Sequence, residues 1–136
     1  ILGLLTRLGL ILTFVELGYS LVSVLSIGFA TGKLAIIFSR NSFSHSKFAK
    51  TGSIVGIISN KSLFVATIIW IIPTLAIFPF YGILLGIILM FSIISIIGLK
   101  AKKTLGGLTG DILGAIAFLT ELAFLLGIII VMVAIN

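Results

Sequence analysis

The chain has 136 residues, of which 60% are hydrophobic and 9% are charged, and its mean hydropathy is +1.45. Soluble domains carry about a quarter charged residues, so this composition excludes a soluble domain and predicts an integral membrane protein. The net charge is +6, but the basic residues lie in the polar gaps between apolar runs, as the positive-inside rule describes. The charge therefore predicts a lipid bilayer as the partner and no nucleic acid. The absence of cysteine excludes disulfides and thiolate metal sites.

Four apolar segments approach or exceed the roughly 20 residues that cross a hydrocarbon core. They cover approximately residues 8–30, 63–80, 81–99 and 111–135. We predict an all-α fold, a polytopic transmembrane helix bundle of about four spans, in one domain over residues 1–136 and in the cell (cytoplasmic) membrane. The chain opens without Met or a signal-peptide pattern. We therefore expect it to be the C-terminal portion of a longer protein.

The first predicted span contains Glu16, and Arg7 lies nine residues before it. At 3.6 residues per turn, the two side chains fall on opposite faces of one helix and do not pair. A carboxylate in mid-span is costly unless it faces the bundle interior or water. We therefore expect Glu16 to face a polar interior.

Residues 31–62 form the most polar segment. Lys33, Arg40 and Lys47 are seven residues apart, and Lys50 follows three residues later, so a continuous helix places them on one face. This pattern predicts a basic amphipathic or re-entrant segment at the cytoplasmic surface, in contact with anionic lipid headgroups, with substrate binding as the alternative. His45 has no second histidine with which to form a metal pair, and we expect it to be a solvated loop residue.

The next two spans form a predicted antiparallel hairpin around the turn at residues 78–82, with Pro73 kinking the first arm. A basic loop at residues 100–110 then returns the chain to the cytoplasmic side. Glycines four residues apart permit close helix approach. Such pairs are Gly28/Gly32, Gly52/Gly56, Gly82/Gly86, Gly106/Gly110 and Gly110/Gly114.

The segment from Gly106 to Gly114 joins the basic loop to the last span. Its glycines allow backbone N–H groups to approach an anion, and the following helix start favours phosphate. Asp111 is a candidate Mg²⁺ ligand beside substrate phosphate oxygens. The alternative is that Asp111 or Thr109 is only a helix N-cap and the glycines are turn and packing residues.

Glu121 lies ten residues after Asp111, which is about 15 Å along a helix axis and about 80° around it. The two carboxylates are therefore too far apart to share one metal ion. A carboxylate near mid-membrane is a candidate functional group, and a partner hydrogen bond inside the bundle is the alternative.

The segment LGGLTGDILGAIAFLTEL resembles the C-terminal signature of the cobalamin synthase family, the adenosylcobinamide-GDP ribazoletransferases. That signature is approximately GG-x-TGD-x-x-GA with a later Glu. The matching residues are Gly106, Gly107, Thr109, Gly110, Asp111, Gly114, Ala115 and Glu121. Upstream, the segment from Lys33 to Gly52 follows the family in order alone, and Lys33 stands where an Arg is expected.

The resemblance implies a membrane transferase that joins adenosylcobinamide-GDP to alpha-ribazole, or to its 5′-phosphate, and releases GMP. It implies Mg²⁺ as the cofactor, with Asp111 as the catalytic and metal-binding carboxylate. The implied substrate-binding residues are Gly106, Gly107, Thr109, Gly110, Lys102, Lys103 and Glu121.

One feature of the family is missing. Its aspartate-rich signature, DG-x-x-D-x-x-D, does not occur in this chain, whose only carboxylate side chains are Glu16, Asp111 and Glu121. We therefore expect the fragment to carry part of the active site. A small transporter or channel-like bundle using Glu16 and Glu121 is the alternative function, and a structural membrane subunit is a third. A homo-oligomer is one option for the assembly.

Overall fold

The computed structural model describes residues 1–43 and 59–135. Within these ranges the chain forms five α-helices and no strand. The helices are α1 (Leu2–Glu16), α2 (Leu21–Ser42), α3 (Asn60–Ile77), α4 (Phe80–Leu105) and α5 (Gly110–Ile135). Helices α2 to α5 are long and apolar enough to cross a membrane, whereas α1 has 15 residues. The prediction of an all-α membrane bundle with about four spans is confirmed.

The predicted first span, 8–30, is wrong as a single helix. The chain leaves the helix after Glu16 and starts α2 at Leu21. Gly18 has φ = +91°, a left-handed conformation that glycine adopts without the Cβ clash of other residues. Gly3 lies against Phe118 and Arg7 against Glu121, so α1 runs parallel to α5. Helix α2 runs antiparallel to α5, and α1 and α2 therefore form a helical hairpin.

The predicted interfacial segment at residues 31–62 is also corrected over its described residues, 31–43 and 59–62. Its first part, to Ser42, completes the spanning helix α2, where Trp70 Nε1 donates a hydrogen bond to Thr31 Oγ1 at 3.0 Å. Lys33 is exposed, but Arg40 is only 2% exposed and donates from Nη1 to the Phe43 carbonyl oxygen at 3.1 Å. The two residues therefore do not form the predicted basic face at the membrane surface. His45, Lys47, Lys50 and the Gly52/Gly56 pair lie outside the described residues.

The break between the third and fourth helices falls at Phe78 and Pro79, as predicted. Helix α4, however, continues to Leu105, so the three lysines after residue 99 lie in its last turns and not in a loop. The helix does not end where the lysines begin, because lysines near a helix C-terminus interact favourably with the carbonyl dipoles. Helix α4 packs mainly against α5 and only slightly against α3.

Helices α4 and α5 are in close contact where Gly86 faces Gly127. A Cβ atom built on Gly127 would lie 2.6 Å from the backbone nitrogen of Gly86 and 2.7 Å from its Cα. The atoms nearest to this Cβ position all belong to the backbone of α4, so they cannot move away without a shift of the helix. The prediction that Gly82 and Gly86 allow close helix packing is confirmed, since Cβ atoms there would lie 3.1 Å and 2.8 Å from α5 atoms.

We expect Gly127→Ala to lower the free energy of unfolding by about 1–3 kcal/mol, because the added methyl group must separate two packed backbones. Denaturation in mixed detergent micelles measures this change. Gly9→Ala is the matched control, since a Cβ atom at Gly9 meets nothing within 4 Å. Equal stability of the two variants would contradict the close contact between α4 and α5.

Candidate functional site

The turn between α4 and α5 is built by one glycine and one threonine. Gly106 ends α4 with φ = +75°, and its N–H donates to the Lys102 carbonyl oxygen at 3.1 Å. Thr109 then caps α5, because its Oγ1 accepts a hydrogen bond from the Ile112 N–H at 3.3 Å. Leu108, between them, is fully buried and anchors the turn in the bundle. Of the two N-cap candidates, Thr109 is the one that caps.

Asp111 lies in the first turn of α5 and is exposed. Its carboxylate is not used as the helix cap, so it is available to a ligand. A negative charge at this position interacts favourably with the N-terminal end of the helix dipole. The turn therefore presents one carboxylate beside backbone N–H groups at the end of the bundle.

The end of the bundle that carries Asp111 is strongly basic. The antiparallel arrangement places the C-termini of α2 and α4 and the N-termini of α3 and α5 together at this end. The described basic residues there are Arg40, Lys61, Lys100, Lys102 and Lys103. At the opposite end, residues 17–21, 78–81 and 130–135 carry no basic residue. The positive potential thus surrounds the Asp111 turn.

Asp111 is the predicted Mg²⁺ ligand, and the described structure shows which other side chains could bind the ion with it. No group of three His, Cys, Asp or Glu side chains able to hold a metal ion occurs among the described residues. Magnesium usually keeps several waters and is held by one or two carboxylates together with substrate phosphates. Asp111 fits that chemistry as a single protein ligand.

A second group of charges lies inside the bundle. Arg7 on α1 forms an ion pair with Glu121 on α5, with 2.9 Å between Nη2 and Oε1. The Glu121 side chain is 8% exposed and that of Arg7 is 23% exposed. The alternative of a buried partner for Glu121 is therefore observed, whereas this use of Arg7 was missed. The sequence signal was a lone cation and a lone carboxylate, each inside an apolar run.

Glycines on α2 make room for this ion pair. A Cβ atom on Gly28 would lie 3.3 Å from the Glu121 side chain, and one on Gly32 would lie 2.9 Å from the Ala117 carbonyl oxygen. The Gly28/Gly32 spacing noted in the sequence thus brings α2 against the charged face of α5. The guanidinium of Arg7 also lies over the Phe29 ring, 5.3 Å from its centroid, a cation–π contact.

Glu16 does not face a polar interior, so that prediction is wrong. It is the last residue of α1 and is exposed. Because the helix ends there, its carboxylate reaches the end of the bundle without being buried. Arg7 and Glu121 are in contact, and nine helical residues place Glu16 about 13 Å further along α1. The structure therefore does not bring Glu16 and Glu121 together as a transport site would require.

The predicted site residues thus fall in two places. The larger set occupies the turn between α4 and α5 and the ends of these two helices. This set contains Lys102, Lys103, Gly106, Gly107, Thr109, Gly110 and Asp111. Glu121 lies on the same helix as Asp111 but about 15 Å deeper in the bundle.

Residues 1–129 match the family model CobS, described as cobalamin-5-phosphate synthase. The chain belongs to the cobalamin-5-phosphate synthase family. No curated protein and no solved structure matches the chain. The family match begins before Arg7 and extends beyond Glu121, so it includes the ion pair as well as the Asp111 turn. Membership in this family assigns the chain to cobalamin biosynthesis, as an enzyme of the transferase kind.

Proposed function

We propose that this cobalamin-5-phosphate synthase family member joins adenosylcobinamide-GDP to alpha-ribazole or to its 5′-phosphate. The products are adenosylcobalamin, or its phosphate, and GMP. The observation that carries the proposal is the family match over residues 1–129. The exposed Asp111 at the basic end of the bundle supports it, because adenosylcobinamide-GDP carries a diphosphate that a helix N-terminus near basic residues is suited to bind.

In the proposed reaction, a ribose hydroxyl of alpha-ribazole attacks the phosphorus atom linked to cobinamide. A new phosphorus–oxygen bond forms to the ribazole, and the bond to the bridging oxygen of the diphosphate breaks. GMP leaves with that oxygen, and the hydroxyl proton passes to solvent or to a nearby base. Positioning and stabilisation of negative charge dominate the catalysis of such transfers.

Magnesium, when bound, neutralises the charge of the diphosphate and of the leaving GMP. Asp111 is the proposed protein ligand for the ion at this end of the bundle. The backbone around Gly106, Gly107 and Gly110 lets the phosphate groups approach closely, because no Cβ atom stands in the way. Thr109 holds the start of α5, and so the N–H groups of its first turn, in place.

Lys102 and Lys103 are proposed to attract and orient the donor. Both are exposed in the last turn of α4. Their charges act on the phosphates across the turn without requiring a buried contact. Glu121 is proposed to act at the substrate site from deeper in the bundle, through its contact with Arg7.

The proposed location is the cell membrane, with the basic end in the cytoplasm. The chain contains no cysteine, so single cysteines report topology without interference. In whole cells, we expect Tyr81→Cys to react with a membrane-impermeant maleimide and Lys103→Cys to react only after lysis. Both native side chains are exposed, at opposite ends of α4. The reverse labelling pattern would contradict the assigned orientation.

The proposed reaction is tested with the complete protein reconstituted in lipid vesicles. We expect adenosylcobinamide-GDP and alpha-ribazole 5′-phosphate to yield one GMP for each cobalamin phosphate formed. Omission of either substrate should stop GMP release. GMP release without the ribazole would indicate a hydrolase and would contradict the proposal.

A further inference from the structure

A small cavity of about 180 Å³ lies between α1, α2 and α5. It is lined by Arg7, Phe29, Gly32, Lys33, Gly114, Ala117, Phe118 and Glu121. We propose that this cavity is a phosphate-binding pocket in which Arg7 and Lys33 hold one phosphate group of a substrate. The proposal rests on the proposed function, because that function supplies the phosphate-bearing substrates.

The charges in the cavity favour an anion. Two cations, Arg7 and Lys33, and one carboxylate, Glu121, line the cavity, so the pocket has one net positive charge when all three are ionised. Charges inside a membrane bundle are costly unless they are paired, and they mark candidate functional sites. Glu121 compensates one of the two cations, and an anionic ligand would compensate the other.

Arg7 has unused donor capacity. Its contact with Glu121 involves Nη2, and this contact is not aligned as a hydrogen bond. Its Nε atom is buried and has no hydrogen-bond partner among the described residues. A guanidinium carries five N–H donors in a planar fork that matches phosphate oxygens. Glu121 is thus a positioning residue that holds the guanidinium in the cavity.

The size of the cavity limits the ligand. Sites for whole small molecules have volumes of about 300–1,000 Å³, so a cavity of about 180 Å³ accepts a group such as a phosphate and not a nucleoside or a corrinoid ring. Such a ligand is therefore part of a larger molecule, most of which stays outside the cavity.

The cavity extends along α5 to Gly114, close to Asp111. Gly114 lies three residues after Asp111, which is about 4.5 Å along the helix and about 60° around it. A Cβ atom at Gly114 would meet nothing within 4 Å, so the cavity is open beside this residue. A substrate bound at the Asp111 turn could therefore place a phosphate between Gly114 and Arg7.

Two substrates carry a phosphate group that could bind in the cavity. One group is the diphosphate of adenosylcobinamide-GDP, and the other is the 5′-phosphate of alpha-ribazole 5′-phosphate. The KM values of Lys33→Gln for the two substrates distinguish these sources. Unphosphorylated alpha-ribazole is the comparison acceptor, because it lacks the 5′-phosphate. Lys33 is exposed, so its replacement is expected to leave the fold intact.

We expect Lys33→Gln to raise KM about tenfold or more for the substrate whose phosphate occupies the pocket, through loss of a charged hydrogen bond. A higher KM for adenosylcobinamide-GDP assigns the pocket to the diphosphate. A higher KM for alpha-ribazole 5′-phosphate, with that for alpha-ribazole unchanged, assigns it to the 5′-phosphate. Lys61→Gln is the control, since Lys61 is exposed on α3 and does not line the cavity. An unchanged KM for every substrate overturns the proposal.

A binding measurement separates this inference from the proposed function. Inorganic phosphate should raise the Tm of the wild-type protein and of Lys61→Gln in a saturable manner, and it should raise that of Lys33→Gln much less. This result in a protein that makes no cobalamin would uphold the pocket and contradict the proposed reaction. Equal stabilisation of all three proteins, or none, would overturn the pocket even in an active enzyme.

Discussion

Replacement of Asp111 by Asn should lower kcat for cobalamin formation at least about 100-fold, the order of loss seen when one transition-state contact is removed. Asp111 is the only acidic residue in the described part of the basic end of the bundle. The amide keeps the size of the side chain but removes its charge, and so its value as a magnesium ligand. Product formation in lipid vesicles at saturating magnesium measures the effect.

The fold should survive this substitution. Asp111 is exposed, and the cap of α5 is supplied by Thr109, so the free energy of unfolding should fall by at most about 1 kcal/mol, through loss of the interaction between the carboxylate and the helix dipole. Glu16→Gln is the matched control, because Glu16 is also exposed but lies at the other end of the bundle. Turnover by Asp111→Asn close to that of the control would remove Asp111 from the active site.

The second large effect concerns the ion pair. Replacement of Arg7 by Leu leaves Glu121 in the bundle interior without its cation, and the Glu121 side chain is only 8% exposed. Loss of one partner of a buried ion pair costs about 3–5 kcal/mol. We expect a decrease of that size in the free energy of unfolding, measured by denaturation in mixed detergent micelles.

The double variant Arg7→Leu/Glu121→Leu should recover most of the lost stability, since apolar side chains often replace a buried ion pair at no net cost. It should nevertheless fail to bind inorganic phosphate, because the guanidinium is absent. This combination separates the structural contribution of the pair from its function. A single Arg7→Leu variant as stable as the wild type would show that the contact with Glu121 contributes little to the fold.

The architecture was largely predictable because hydrophobic run length is a strong signal in a membrane protein. The last span and the break near Phe78 and Pro79 follow directly from that signal. The break at Gly18 was missed because Glu16, Gly18 and Ser20 are single interruptions in a segment from residue 8 to 30 that is otherwise long and apolar enough to be read as one span. Hydropathy alone does not show that one glycine there adopts a left-handed conformation and divides the segment into two antiparallel helices.

The family was predictable because the residues that carry the resemblance are close together in the sequence. The segment from Gly106 to Glu121 carries the family resemblance, and the chain belongs to that family. The pairing of Arg7 with Glu121 was not predictable, because 114 positions separate the two residues and helix periodicity describes contacts only within one helix. The exposure of Glu16 follows from the same missed turn, since it is the last residue of α1.

Transfer of the cobinamide-linked phosphate to the ribazole fixes where an isotope label in that phosphate must appear. Adenosylcobinamide-GDP is prepared with ³²P only in the phosphate attached to cobinamide, and is incubated with the complete enzyme, magnesium and alpha-ribazole 5′-phosphate. We predict that all of the label appears in the cobalamin phosphate and that the released GMP is unlabelled. Label in a released guanine nucleotide, or in a corrinoid product that lacks both GMP and the ribazole, would contradict the proposed transfer.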